Sequence, residues 1–209
     1  MTRTRPFLVG LAVTALLAGP ASPGAELSDV DFTAQCEACH GPDGVSRWPD
    51  IPNISGLPDV VVANALYDFR GRARPCRVGE CGPKESCPDA SMCYVSHELD
   101  DGQIERYATF YSSQPFSPSV PDAALDPELV TAGSELHARR CEECHSQGGS
   151  SPLDQASILR GQNMAYLRNA MADFREGRRV QEAAMAEAVA TLSDSDVEAL
   201  LQFYASPTR

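Results

Sequence analysis

The pentapeptide Cys-X-X-Cys-His occurs twice in this chain, as Cys36-Glu-Ala-Cys39-His40 and as Cys141-Glu-Glu-Cys144-His145. This spacing is the attachment signature of c-type haem. Two thiols three residues apart each add to one vinyl group of a porphyrin, and the following His lies under the iron as its proximal ligand. One copy alone also reads as a redox dithiol that happens to precede a His. Two copies inside a longer repeat do not. Cys36, Cys39, Cys141 and Cys144 are the expected attachment points of two covalently bound haem c groups, and His40 and His145 the expected proximal ligands.

The repeat extends well beyond the motif. A shift of 105 carries Cys36–His40 onto Cys141–His145, Gly44 onto Gly149, Gly56 onto Gly161, and Asp68-Phe69-Arg70 onto Asp173-Phe174-Arg175. The shift then becomes 93, carrying Met92 onto Met185, Leu99 onto Leu192, Asp101 onto Asp194, and Phe110-Tyr111 onto Phe203-Tyr204. The difference is a 12-residue insertion in the first copy, between Arg70 and Met92. Two copies are too few for a solenoid or propeller. A tandem pair of small domains is expected.

Neither half shows the alternation of β-strands. Ile104, Ala108 and Tyr111 recur at helical spacing, as do Val197, Leu200, Leu201 and Tyr204 after a capping-box sequence, Ser193-Asp-Ser-Asp196. Pro58 suits the first turn of a helix running to Phe69. Each half has only about 80–90 residues, marginal for an apolar core alone, and a buried macrocycle supplies the missing apolar surface. The expected fold is all-α, two class I cytochrome c domains in tandem. The boundaries read as a secretory signal over 1–25, a first domain over 26–112 with a Cys-rich insertion at 71–91, a Pro-rich linker over 113–127, and a second domain over 128–209.

The signal reading rests on Arg3 and Arg5, the apolar run Phe7–Leu17 and the small residues that follow. That run is short for a bilayer span, although an uncleaved anchor is the alternative. It agrees with haem attachment, which takes place outside the cytoplasm, and implies the periplasm. The chain carries a net charge of −12, and loss of the two Arg of the signal takes it to −14. Such acidity argues against nucleic acid and anionic lipid, and suits either a basic redox partner or simply the solubility of a secreted protein.

In a class I domain the sixth iron ligand is usually a Met downstream, before the last helix. Met92 and Met185 hold the same register, each seven residues before the Leu that opens the terminal helical segment. They are the expected distal ligands. Met164 and Met171 have no Met counterparts and read as packing. Pro52 lies 12 residues after His40, where its carbonyl can orient the imidazole. Ser157 holds the matching place in the second half, so another carbonyl is expected to act there. His97 and His137 read as surface or interdomain polar groups, and Trp48 as a haem contact or plain packing. Arg70, Arg72, Arg74, Arg175, Arg178 and Arg179 either neutralise haem propionates or form solvated basic turns.

Four further cysteines, Cys76, Cys81, Cys87 and Cys93, fall in or beside the insertion. In an oxidising compartment they read as two disulfides with pairing open. The alternatives are a zinc or iron–sulfur site, or Cys93 thiolate replacing Met92 on the first iron.

The tandem arrangement resembles dihaem cytochromes of the c-four type. The second half is also similar to the cytochrome subunit of flavocytochrome c sulfide dehydrogenase. That likeness is carried by Gly133-Ser-Glu-Leu-His137, Ile158-Leu-Arg-Gly-Gln162, Ala170-Met-Ala-Asp-Phe-Arg-Glu176, Arg178-Arg179 and Phe203-Tyr-Ala-Ser206. The resemblance implies an electron-transfer subunit rather than an enzyme by itself. It would accept electrons from a separate FAD-containing sulfide dehydrogenase subunit and pass them to a soluble cytochrome c. FAD is expected only on the partner, since no Gly-X-Gly-X-X-Gly occurs here. The alternatives are a free dihaem carrier to a terminal oxidase, or a thiosulfate-oxidising dihaem cytochrome with catalysis at haem.

Overall fold

The structure is a computed structural model and describes residues 1, 29–77, 91–121 and 123–207. The expected signal beyond Met1, most of the insertion, Cys81 and Cys87 lie outside the described residues. Among those described the chain is helical, without strands, and no helix is long and apolar enough to cross a membrane.

The first half comprises α1 (Asp29–His40), α2 (Asp59–Arg70), α3 (Met92–His97) and α4 (Asp101–Ser113). The second comprises α5 (Pro127–Arg140), a distorted turn α6 (Ser146–Gly149), α7 (Met164–Arg175), α8 (Ala183–Ala190) and α9 (Asp194–Ala205). The starts of the helices follow from local chemistry. Asp100 and Gln103 form a capping box on α4, and Ser193 and Asp196 form its counterpart on α9. Asp126 caps α5, with Pro127 in the first turn. Pro58 sits one place earlier than expected, at the N-cap of α2, where its missing N–H also leaves no helical bond unmade.

Each half buries the stripe read from its sequence. Ile104, Ala108 and Tyr111 of α4 meet Val62, Ala63 and Leu66 of α2 in one core. Leu200, Leu201 and Tyr204 of α9 meet Leu136 of α5 and Leu167 of α7 in the other. Helices α5 and α9 pack at close range around Gly133. The repeat is visible in the backbone as well. The N–H of Gly56 donates to the carbonyl of Tyr111 at 2.8 Å, and the N–H of Gly161 to that of Tyr204 at 2.8 Å. Arg70 pairs with Asp101 at 2.6 Å, and Arg175 with Asp194 at 2.8 Å.

The halves meet along a polar seam that is largely buried. Gln162 Oε1 accepts from the Asn53 N–H at 3.0 Å, and Gln162 Nε2 donates to the Asn53 carbonyl. Asn163 Nδ2 donates to the carbonyls of Trp48 and Ile51 at 3.0 and 2.7 Å. Ile158 of the second half is buried in the first half's core. The proline-rich segment is not helical, as expected, and it lies in the seam. Asn53 Nδ2 donates to the Ser117 carbonyl at 2.8 Å, and the Ser119 N–H donates to Gly161. Gly56 and Gly161 both have positive φ, and a Cβ at either would come within 2.5 or 2.6 Å of this segment. Only glycine allows so close an approach.

Candidate haem-binding sites

Helix α1 ends on the first motif, so its last turn delivers Cys36, Cys39 and His40 to one wall of a cavity. The cavity has a volume of about 780 Å³, within the roughly 300–1,000 Å³ of cofactor pockets. Leu57, Val62, Leu66 and Leu99 give it apolar walls, and Met92 lines it too. The motif and the Met expected to face it across the iron therefore share one enclosure.

The imidazole of His40 is buried, and its Nδ1 donates to the Pro52 carbonyl at 2.9 Å. Burial holds its pKa below the ordinary value, the Pro52 bond opposing. A neutral ring with Nδ1 protonated leaves Nε2 as a lone-pair donor, the state a metal requires. Burial likewise pushes the Cys36 thiol up to about 11, its hydrogen bond with Tyr111 notwithstanding.

The second motif lies in turns just past the end of α5 rather than inside the helix, and the bond of its His to a carbonyl is repeated. His145 Nδ1 donates to the Ser157 carbonyl at 2.9 Å. The expectation that some other carbonyl would serve here is corrected. The accepting group is backbone, so a Ser serves as well as a Pro. Met185 packs against the second core beside Leu159, Met164, Met171 and Phe174. Met164 and Met171 thus take the packing role read for them. Cys141 mirrors Cys36, with burial raising its pKa and a hydrogen bond from Tyr204 lowering it.

His137 is neither a surface nor an interdomain group. It is 1% exposed, with Nδ1 2.9 Å from the Tyr204 hydroxyl, and Nε2 2.9 Å from Glu142 and 3.1 Å from the His145 carbonyl. Glu142 in turn accepts from the N–H groups of Gln147 and Gly148 at 2.8 and 3.0 Å. This cluster braces the second attachment loop. The residue in the matching place of the first copy is Phe32, so the register gave no signal for a polar role. His97 is exposed, as read. Trp48 stacks with Arg47 and offers its carbonyl to Asn163, and it is not among the residues lining the first cavity.

The arginines divide by role. Arg70 and Arg175 are held by Asp101 and Asp194, and Arg178 by Asp173 and Glu176. Arg72 is exposed beside Cys76. Arg74 and Arg179 lie over Phe69 and Phe174, each at 4.3 Å, and both line the first cavity. Tyr166 joins them there. Burial pushes its phenol up, but the two guanidiniums outweigh this and hold it below its ordinary pKa. Arg179 Nε is buried without a hydrogen-bond partner among the described residues. Asp50 and Asp173 line the cavity as well, Asp173 paired with Arg77, and the donor-rich edge that Arg74, Tyr166 and Arg179 form on a mostly apolar cavity fits a macrocycle bearing carboxylates.

Cys76 and Cys93 form a disulfide. The reading of Cys93 as a thiolate ligand is therefore corrected, because its sulfur is already bonded. The described residues hold no cluster of His, Cys, Asp or Glu suited to a metal ion. Any second bridge, between Cys81 and Cys87, lies outside the described residues.

The helical fold and the duplicated motif sites define a tandem class I dihaem cytochrome c. No family model matches the chain. Among curated relatives, cytochrome c4 of Azotobacter vinelandii is 30% identical over 211 residues, 94% of each chain. The crystal structure of reduced recombinant cytochrome c4 from Pseudomonas stutzeri superposes with a TM-score of 0.66 at 28% identity, covering 84% of this chain and 94% of that one. The chain belongs to the cytochrome c4 family. A protein named as a thiosulfate dehydrogenase electron acceptor, from Thiomonas intermedia, is 26% identical over 205 residues, 90% of this chain and 88% of the relative.

Proposed function

We propose that this chain is a free periplasmic dihaem electron carrier. Cys36 and Cys39 hold one haem c, and Cys141 and Cys144 the other. His40 with Met92 ligates the first iron, and His145 with Met185 the second. The observation that supports this most is the repeated proximal geometry, each motif His donating Nδ1 to a carbonyl 12 residues on at 2.9 Å.

The bound group supplies a one-electron iron couple. The chain's own residues set its conditions. The Pro52 and Ser157 carbonyls fix the imidazole tautomer and ring orientation. Apolar walls around the first site exclude water. The Met thioethers favour a high potential and close the iron to small ligands. Arg74, Tyr166 and Arg179 would receive the carboxylates of the first haem. Helix α7 is a shared wall, with Asn169 and Ala170 on the first cavity and Leu167 in the second core. One helix between the sites suits transfer between them.

The Thiomonas relative supports a sulfur-compound dehydrogenase as electron donor, and the acidity of the chain supports a basic cytochrome as acceptor. The second reading is the haem subunit of a sulfide-oxidising flavocytochrome c, bound to an FAD subunit. It rests on the 170–176 run and the paired Arg after it. Here Asp173 of that run is buried between Arg77 and Arg178, an internal role that accounts for it without a flavoprotein. Purified from its native host, the protein should migrate free of flavin. An equimolar FAD subunit travelling with it would replace the carrier reading by the second.

Ligation has a direct test. The ferric protein should show the weak far-red band of Met–haem coordination. Met92→Ala and Met185→Ala should each remove about half of it, one axial Met per iron. A full band in either variant rules out that Met as a ligand.

A further inference from the structure

We infer that the Cys76–Cys93 disulfide is the positioning device for the sixth ligand of the first iron. This rests on the assignment of Met92 made above.

The two Met residues reach their sites by different routes. In the second half only nine residues separate Arg175 from Met185, and Met185 sits inside α8, an eight-residue helix. In the first half 21 residues separate Arg70 from Met92. Met92 is the first residue of α3, a helix of only six. A longer connection admits more conformations, so closing it onto one geometry is entropically harder. The first site therefore closes at a greater entropic cost, against which α3 packs on α2 and Met92 on the first core, and a covalent tie adds to that packing.

The disulfide is that tie. Cys93 directly follows Met92, is buried, and is bonded to Cys76 across 17 residues of sequence. The Cys76 end is anchored on both sides. Ala73 N–H donates to the Asp68 carbonyl at 2.8 Å, and the Ala73 carbonyl accepts from Val180 N–H at 3.2 Å. Arg74 is buried over Phe69 and reaches the Tyr166 hydroxyl at 3.4 Å. Arg77 pairs with buried Asp173 of the second half. The bridge thus ties the Met92 turn to the rim of the first cavity, which Arg74, Pro75 and Arg77 line along with Ser91 and Met92. On α3 itself the N-cap Ser91 and the bond from Ser96 Oγ to the Met92 carbonyl fix the turn, and they do not link it to that rim.

The test uses the dihaem protein with Cys76→Ser/Cys93→Ser. The expected result is a far-red band reduced toward the level of Met92→Ala. Cyanide should bind the first haem roughly tenfold faster or more, on the scale of lost positioning partners. The second haem should keep its share of the band and its cyanide rate, which also reports that the chain is folded. If the double variant does not fold, Cys81→Ser/Cys87→Ser protein can be reduced with a dithiol, alkylated and returned to the ferric state for the same comparison. A full band with wild-type cyanide rates at both haems would overturn the inference. Should Met92→Ala halve the band while the disulfide variant leaves it intact, the positioning role alone fails. Should Met92→Ala itself leave the band intact, the ligand assignment fails.

Discussion

Single residues decide where the helices can touch. A Cβ on Gly133 would lie 2.0 Å from the Ala199 carbonyl oxygen, in the crossing of α5 and α9. Backbone cannot yield as a side-chain tip can. Gly133→Ala should therefore lower stability by about 2–3 kcal/mol, and the melting temperature by roughly 5–10 °C. An unchanged thermal melt would mean that the helices cross elsewhere. At this scale the sequence was legible where the repeat fixed a position: His40 and His145 each donate Nδ1 to a carbonyl 12 residues on, and Met92 lies on the cavity that His40 lines, while attachment at the four motif cysteines and ligation by the Met pair stand as proposals. It was blind to Ser157, which acts through its carbonyl, a group every residue carries. It was blind to His137 for another reason. That residue is defined by Tyr204, Glu142 and the His145 carbonyl, which converge on it only after folding.

Helices α4 and α9 show how closely the two copies share a design. Both open on a capping box, and both receive an Arg from the repeat-equivalent end of α2 or α7. The ion pairs are largely exposed and contribute little. The caps matter more: Ser193→Ala should destabilise by about 1 kcal/mol, read by chemical denaturation. The effect should depend on pH in a stated direction. Hydrogen bonds from Ser193 hold the Asp196 carboxyl below its ordinary pKa. Its contribution is therefore complete above the unfolded value and is lost as pH falls through the folded one. The deficit of Ser193→Ala should shrink in acid, and a deficit that grows there would contradict the capping account. Periodicity and capping residues made these elements readable in advance. The α3 turn was not, because a helix of six residues is too short to show a period.

At the scale of the whole molecule, the seam makes two small domains one body. Gln162 is 2% exposed and satisfies both backbone groups of Asn53. Gln162→Ala leaves a buried donor and acceptor unpaired, which should cost about 2–4 kcal/mol. Calorimetry should show the single transition of the parent weakening or splitting in two, whereas an unaltered single transition would place the coupling elsewhere. The linker was recognisable as non-helical from its prolines. Its role between the halves was not, because that rests on contacts with Asn53, Gly56 and Gly161, distant in sequence. The proposed function turns on two haems fixed to the two motifs. The most direct test is the mass of the mature chain after acid denaturation and extraction with acidified organic solvent. The account predicts a single species heavier than the polypeptide by two haems, falling to one haem when Cys141 and Cys144 are both replaced by Ala. Haem that passes into the solvent and leaves the bare polypeptide mass would contradict it.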